Sequence, residues 1–302
     1  MDMALSLPQM ANEEAKVSLR RLSGGYLRLP MHLFVEGSKD DEVRTVPCMS
    51  WLIEHGASNQ KIIFDLGMRK DIQNYPPAVY HRLQTAVGCE VPEDVFHTLE
   101  RLQVDIQSEI DAVVFSHLHY DHVGDPRRFG PRTSYIIGPG AKELIQGPGS
   151  YPSDEHSHYD SAMFPLDRLT ELPPASSRDY WAPLGPFPET HDYFGDGSLY
   201  IINAPGHSPG HINLLVRLDP EHWAYLGGDT THDPRILDNT ARTAVYVDTA
   251  TGCMKCAHHD KEAAERHLER VREIGTDPRV ELILAHDYRW MADNWQRFGG
   301  SK

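Results

Sequence analysis

A short segment in the first half of the chain concentrates metal-binding side chains directly after a hydrophobic run. Residues 116–122 read Ser-His-Leu-His-Tyr-Asp-His and follow the run Ile-Asp-Ala-Val-Val-Phe, which predicts a buried strand. The end of a strand is a rigid platform from which a loop can aim several side chains at one point. In an extended stretch His117 and His119 point to the same side, and a turn then brings Asp121 and His122 round. Imidazole and carboxylate together are the ligands expected for zinc and other first-row divalent ions.

The alternative explanation is a surface loop with chance histidines, and three later residues argue against it. Each is a metal-competent side chain just past a β-rich run. They are His207 after residues 198–203, Asp229 after residues 222–226 and His286 after residues 280–284. Seven such residues at strand ends predict one metal site that is assembled by folding.

The order of predicted elements favours a layered fold. Strands dominate, with helices predicted over residues 92–108 and 260–274 from apolar side chains at three-to-four spacing. Such a mixture is typical of α/β or α+β folds. No composition break divides the chain, so we predict a single domain over residues 1–302, with residues 1–16 as a loose arm. Residues 146–198 are rich in Pro, Gly, Tyr and Asp, and we interpret them as an insertion or lid with at most two short strands.

Charge and cysteine content exclude several classes of partner. The formal charge of −15 argues against a nucleic-acid or anionic-membrane partner. The first residues lack the pattern of a secretory signal, and no apolar stretch is long enough for a membrane span, so we expect a cytoplasmic protein. Four cysteines do not make a disulfide scaffold. Cys253 and Cys256 form a lone C-x-x-C, for which reduced thiols are the simplest interpretation and a metal or thiol role is the alternative.

The histidine constellation resembles that of the metallo-β-lactamase superfamily of dinuclear metallohydrolases, over roughly residues 27–290. The resemblance implies an α+β fold, an αβ/βα sandwich of two mixed sheets with outer helices. It also implies two divalent metal ions, with Zn2+ expected. The ligands carry over by position: His117, His119 and His207 for the first metal, Asp121, His122 and His286 for the second, and Asp229 as the bridge between both.

Within the family, the motif is most similar to the branch that contains N-acyl homoserine lactonases. Those lactonases typically place a Tyr three residues after the bridging Asp, and this chain has His232 there. The resemblance implies a lactonase or lactamase, in which a metal-bridging hydroxide attacks the carbonyl of a cyclic ester or cyclic amide. Asp121 is expected to pass a proton to the leaving group, and His232 to hydrogen-bond the substrate.

Two alternatives remain open at this point. One is an open-chain ester or thioester hydrolase, such as a glyoxalase II-like or acyl-carrier thioesterase activity. The other is a metal-binding scaffold without activity, which an intact set of seven ligands disfavours. A small-molecule substrate is expected in either enzyme, and the chain is expected to form a homodimer if it self-associates.

Other polar residues have weaker claims on the site. Asp65 and Asp287 are candidates to orient ligand imidazoles, although Asp65 is equally a turn-forming residue. His211 is interpreted as a structural histidine, and His258 with its neighbour His259 as surface residues. Residues 156–160 also spell His-x-His-x-Asp, but no strand precedes them, so we interpret them as a solvated lid segment from which His158 or Tyr159 touches substrate.

Overall fold

Two mixed β-sheets form the body of the protein. The computed structural model describes residues 7–248, 252–294 and 296–298. In the first sheet the strand order is β4-β1-β2-β3-β5-β6-β7, and in the second it is β15-β12-β11-β10-β9-β8. The strands are β1 (Val17–Pro30), β2 (Val43–His55), β3 (Lys61–Phe64), β4 (Gly88–Glu90), β5 (Ala112–Val114), β6 (Ser134–Ile137), β7 (Leu169–Glu171), β8 (Ala182–Leu184), β9 (Phe187–Asp192), β10 (Leu199–Asn203), β11 (Ile212–Asp219), β12 (His222–Leu226), β13 (Val245–Val247), β14 (Met254–Cys256) and β15 (Val280–Ile283). Strands β13 and β14 make a separate hairpin.

Helices cover the outer faces of both sheets. They are α1 (Pro77–Thr85), α2 (Val95–Arg101), α3 (Tyr120–Val123), α4 (Lys142–Gln146), α5 (Pro234–Leu237), α6 (Lys261–Ile274) and α7 (Tyr288–Asp293). Helix α2 packs on the first sheet and α6 on the second. Among the described residues no helix is long and apolar enough to cross a membrane.

The core lies between the sheets and is made by their inward-facing side chains. Trp51 and Ile53 from β2 meet Ile201 from β10 and Leu214 from β11, and all four are buried. Full burial of a large apolar side chain contributes about 1.5–3 kcal/mol, so this layer fixes how the two sheets face each other. The predicted αβ/βα sandwich of two mixed sheets with outer helices is confirmed.

The two predicted helices differ in how far they extend. Helix α6 matches its prediction, and its predicted apolar side chains Ala264, Leu268, Val271 and Ile274 are all buried. The helix predicted over residues 92–108 is much shorter. It begins after Asp94, whose side chain accepts the His97 N–H, and ends at Arg101. Two residues later Gln103 takes a φ of 58°, a left-handed conformation that stops a helix.

Residues 146–198 contribute strands to both sheets. The segment contains β7, β8 and β9, one strand more than expected, because β7 extends the first sheet while β8 and β9 extend the second. The chain therefore passes from one sheet to the other through this segment.

The beginning of the described chain is packed against the second sheet. Leu7 is buried beside Phe187, and Arg217 donates from Nη2 to the Pro8 carbonyl at 2.7 Å. Residues 7–16 therefore differ from the loose arm expected for residues 1–16, because an apolar side chain and a backbone acceptor tie their start to β9 and β11. Residues 1–6 lie outside the described part.

Candidate metal centre

The ends of four strands place the predicted ligands at one edge of the sandwich. His117, His207, Asp229 and His286 follow β5, β10, β12 and β15 respectively. Strands β12 and β15 are parallel, and β10 runs the same way because two antiparallel pairings separate it from β12. Their carboxyl ends therefore meet at the same edge. All seven predicted ligands lie in groups whose ligand atoms are within 4.8 Å of one another.

A glycine lets the loop after β10 reach this edge. Gly206 precedes His207 and has a φ of 134°. A side chain at Gly206 would place its Cβ 2.2 Å from the backbone nitrogen of Ala264, so only glycine allows the loop to lie against the start of α6. This close approach sets the position of His207.

Three imidazoles form the first ligand cluster. His117 Nε2 lies 2.9 Å from His119 Nδ1, and His207 Nε2 lies 3.1 Å from His117 Nε2 and 3.0 Å from His119 Nδ1. Nitrogens around a tetrahedral zinc ion are about 3.3 Å apart, given Zn–N bonds of about 2.0–2.1 Å. The three nitrogens therefore converge as the ligands of one small cation do.

A second cluster lies beside the first, and Asp229 faces both. Asp229 Oδ1 is 3.1 Å from His122 Nε2 and 3.2 Å from His286 Nε2. Asp229 Oδ2 is 3.3 Å from His207 Nε2 in the first cluster. Asp121 completes the second cluster, with Oδ2 3.4 Å from His286 Nε2. One carboxylate thus offers one oxygen to each cluster.

Two buried atoms of the second cluster have no hydrogen-bond partner among the described residues. They are His122 Nε2 and Asp229 Oδ1, which face each other across 3.1 Å. Buried polar atoms in folded proteins are nearly always satisfied, and these two point at the same place as the ligand atoms of His286. The donor set and these two atoms fit a divalent cation.

Electrostatics prepares the first cluster for ligation. Burial lowers the pKa of His117 and His207 well below the usual value for histidine and lowers the pKa of His119 to about 4. These imidazoles are therefore neutral at pH 7. A metal binds the neutral ring, so no proton has to leave them first.

In the second cluster the carboxylates dominate. Burial lowers the pKa of His122 and His286, but Asp229 and its neighbouring carboxylates outweigh it and raise both values well above the usual one. Burial raises the pKa of Asp229, but the imidazoles of His122, His286 and His232 outweigh it and hold that pKa well below the usual value. A divalent cation competes with protons for this cluster, which makes metal affinity depend on pH.

Hydrogen bonds from outside the clusters orient several ligands. Asp65 Oδ2 lies 2.8 Å from His122 Nδ1 and accepts the Ser116 hydroxyl at 2.7 Å. Asp65 has a φ of 60°, a strained conformation of the kind that concentrates at functional sites. His286 Nδ1 donates to the Pro47 carbonyl at 2.7 Å. These contacts leave Nε2 of both imidazoles directed at the cluster.

The remaining two candidates, His211 and Asp287, have different roles. His211 accepts the backbone N–H of Asp229 at 3.1 Å, so it positions the loop of the shared carboxylate. Asp287 accepts the N–H groups of Arg289 and Trp290 and caps α7, which is a structural role.

His232 and His258 lie beside the clusters. His232 Nε2 is 3.1 Å from Asp229 Oδ2, so His232 lies next to the shared carboxylate. His258 is buried, with Nδ1 3.4 Å from His207 Nδ1. Its interpretation as a surface residue is wrong, because the loop before α6 folds back onto the loop of His207; His259 is exposed as expected.

Cys48 is a neighbour of the second cluster that sequence reasoning missed. Its sulfur groups with the ligand atoms of Asp121 and His286. It is a lone cysteine inside a strand pattern, so no ligand spacing identified it. Cys253 is exposed and Cys256 half-buried, and among the described residues neither belongs to a metal-competent group.

The repeated motif does not join the clusters. His156 is exposed, and within the described residues no metal-competent group includes it, His158 or Asp160. His158 lines the pocket over the site, and the ring of Tyr159 stacks on that of His119 with centroids 6.1 Å apart.

The clusters form the floor of a cleft of about 290 Å³. Both apolar and polar side chains line it. The apolar ones include Leu27, Leu29, Leu33, Phe34 and Val87, and the polar ones include Arg82, Tyr120, His158, Tyr246, Asp248 and Lys255. Such a cleft suits a small molecule with an apolar part and a few polar groups.

Known proteins share this sequence pattern. The sequence profile of the metallo-β-lactamase superfamily matches residues 43–227. The cytochrome P450 monooxygenase mpaDE′ of Penicillium brevicompactum is 29% identical over 259 residues, which cover 80% of this chain but 30% of the relative. The chain thus spans less than a third of that relative's length.

Two further relatives are hydrolases by name. The gamma-lactamase MBL2 of Gibberella moniliformis is 36% identical over 175 residues, covering 57% of this chain and 70% of the relative. The metallo-hydrolase mfmC of Annulohypoxylon moriforme is 34% identical over 273 residues, covering 80% and 70%.

The fold is shared with a solved lactonase. The crystal structure of a mutant of AiiA from B. thuringiensis, which has N-decanoyl-L-homoserine bound at its active site, superposes with a TM-score of 0.69. The match covers 92% of this chain and 96% of that protein at 15% identity, so it supports the fold.

Proposed function

This chain belongs to the metallo-β-lactamase superfamily, and we propose that it is a dinuclear zinc hydrolase that opens a cyclic ester or cyclic amide. The observation that carries the proposal is the placement of Asp229, which directs one carboxylate oxygen at each of two ligand clusters. Relatives named as a gamma-lactamase and as a metallo-hydrolase support hydrolysis of a lactam or a related ring.

The ligand types support zinc at both positions. His117, His119 and His207 would hold the first ion, Asp121, His122 and His286 would hold the second, and Asp229 would bridge them. When bound, such ions supply an acidified water and polarise a carbonyl oxygen. The remaining tasks fall to this chain's own side chains.

Asp121 is suited to move a proton. Burial raises its pKa, but His122 and His286 outweigh burial and lower the pKa below the usual value, so the carboxylate is ionised at pH 7. The side chain lines the cleft. We assign to Asp121 the proton released by the attacking water, which it returns to the alkoxide or amide nitrogen that leaves the carbonyl carbon.

His232 is suited to bind the substrate carbonyl. It lines the cleft beside Asp229, and the resemblance to lactonase-like members implies a Tyr at its sequence position, three residues after Asp229. A neutral or charged imidazole donates a hydrogen bond, and a donor at the carbonyl oxygen stabilises the charge that develops there.

The cleft favours a compact substrate with an apolar side. Apolar side chains and the charged groups of Arg82 and Lys255 both line it. A ring of modest size, with its carbonyl over the clusters, would place its hydrocarbon against Phe34 and the neighbouring leucines. Expulsion of water from these apolar side chains contributes to binding.

A hydrolysis screen tests the proposal. The chain is freed of metal with a chelator, reloaded with zinc, and assayed on lactones, lactams and open-chain thioesters of matched size. We expect turnover of a cyclic substrate that disappears on chelation and returns with zinc. His156→Ala is the matched control and should retain full rate, because its imidazole is exposed and belongs to no metal-competent group among the described residues. Turnover confined to thioesters, or cyclic turnover that survives chelation, would contradict the proposal.

A further inference from the structure

Cys48 presents a buried thiol to the second ligand cluster. Its side chain is 1% exposed, and the sulfur is free rather than disulfide-bonded. The sulfur, an oxygen of Asp121 and a nitrogen of His286 all lie within 4.8 Å of one another. Ligand atoms around one zinc ion, with bonds of about 2.0–2.3 Å, are separated by distances up to about this value.

The backbone on both sides of Cys48 holds the thiol in this position. His286 Nδ1 donates to the carbonyl of Pro47, and the N–H of Met49 donates to the carbonyl of Ala285 at 3.0 Å. The residues before and after Cys48 are therefore tied to the His286 loop. Since the backbone fixes the direction of each side chain along a strand, these two ties keep the Cys48 side chain directed at the same place.

A bulge in the partner strand accommodates this arrangement. The pairing of β1 with β2 shifts between Ser23 and Tyr26, opposite Cys48. Gly24 lies there, and a Cβ at Gly24 would stand 2.0 Å from the Cys48 carbonyl oxygen. The absence of a side chain at Gly24 therefore permits the backbone of Cys48 to sit where it does.

The second cluster also contains buried polar atoms that a bound cation would satisfy. His122 Nε2 and Asp229 Oδ1 are buried without hydrogen-bond partners among the described residues. His122 and Asp229 group with His286, and His286 also groups with Cys48 and Asp121, so this imidazole joins the two groups. The thiol is therefore part of a donor group rather than an isolated cysteine.

We propose that Cys48 is a sulfur ligand of the second metal position, beside Asp121 and His286. This inference rests on the dinuclear site proposed above. When the ion binds, the S–H bond breaks, the proton passes to solvent and a sulfur–metal bond forms, without oxidation or reduction. A thiolate favours zinc, cobalt or cadmium over magnesium or manganese, so the second position is selective for soft ions.

X-ray absorption at the zinc edge tests the inference directly. In the zinc-loaded protein we expect a sulfur scatterer at about 2.3 Å from zinc. Because the signal averages over two zinc ions and Cys48 binds one of them, the expected number is about half a sulfur per zinc. Cys48→Ser should remove this scatterer and weaken zinc binding at the second position at least about 10-fold. Cys256→Ser, which changes a thiol that lines the cleft but belongs to no metal-competent group among the described residues, should retain it.

A second readout removes dependence on the folding of the variant. Cobalt-loaded wild-type protein should show a thiolate-to-cobalt charge-transfer absorption in the near ultraviolet. A protein that takes up metal but shows nitrogen and oxygen scatterers alone, or loses its sulfur signal in Cys256→Ser, would overturn the assignment of Cys48 and leave the proposed hydrolase standing. A protein that takes up no metal would overturn both.

Discussion

Two segments of this chain spell His-x-His-x-Asp, and they have different surroundings. Residues 117–121 follow β5, a buried central strand of the first sheet, and meet ligands from three other strand ends. Residues 156–160 lie in the irregular stretch between α4 and β7, where His156 is exposed. The two segments share the same motif, but among the described residues only the first is surrounded by other candidate ligands.

A ligand motif therefore acts through the strands that frame it. In the first segment β5 is hydrogen-bonded on both sides, to β3 and β6, so the residues that follow it start from a fixed position. Asp65, at the end of β3, accepts both the N–H and the hydroxyl of Ser116 at 2.7 Å. The second segment follows no strand, and its β-pairing among the described residues is one isolated bridge, between Tyr151 and Asp160.

Removal of a metal ligand should give the largest difference in activity between variants of the two segments. His117→Ala deletes a buried member of the first cluster and should lower kcat/KM at least about 10³-fold, because metal activation of water is lost. His156→Ala should change kcat/KM by less than about twofold. Steady-state kinetics on both variants checks this, and comparable losses in the two would show that the segments are equivalent.

Replacement of His232 separates substrate contact from metal binding. His232→Ala should lower kcat about 10²-fold by deleting one donor to the carbonyl oxygen, with the metal content unchanged. His232→Tyr should recover part of the rate, because a phenol donates from the same position. If the alanine variant instead loses metal, His232 acts through its contact with Asp229.

The frame itself can be tested at Asp65. Asp65→Asn removes the carboxylate that orients His122 and Ser116, and we expect zinc affinity to fall about 10- to 100-fold. Asp160→Asn makes the same change in the second segment and should leave zinc affinity unaltered. Competition with a chromophoric chelator measures both, and equal affinities for the two variants would rule out the role of Asp65.

His158 should give the smallest effect. It lines the cleft without joining a ligand cluster, so His158→Ala should raise KM by about 3- to 10-fold, with kcat and metal content nearly unchanged. A fall in metal content would show that the second segment takes part in metal binding after all.

The clustering of the seven candidate ligands could be predicted from the sequence, because the ends of strands can be recognised in it. Hydrophobic runs predict β5, β10, β12 and β15, and a His or Asp side chain follows each of them closely. The same reasoning identified Asp65 at the end of β3. The strand order was not needed, since each of these four runs is followed by a candidate ligand.

Other features of the site and fold could not be predicted from the sequence, because they depend on contacts and backbone conformations without a local sequence pattern. Cys48 reaches the site through ties between β2 and the His286 loop, and a pairing between residues so far apart in sequence has no local signature. His258 is buried because its loop folds onto the His207 loop, although its sequence neighbours are polar. The early end of α2 depends on the left-handed conformation of Gln103, which cannot be predicted from the presence of a glutamine.

The zinc stoichiometry of the purified chain decides whether the first segment, framed by strand ends, builds a dinuclear site. We predict about two zinc ions per chain, and the same number in a variant with both His156→Ala and His158→Ala. One ion or none in the wild type would contradict the dinuclear site. A loss of zinc in the double variant would contradict the distinction between the two segments.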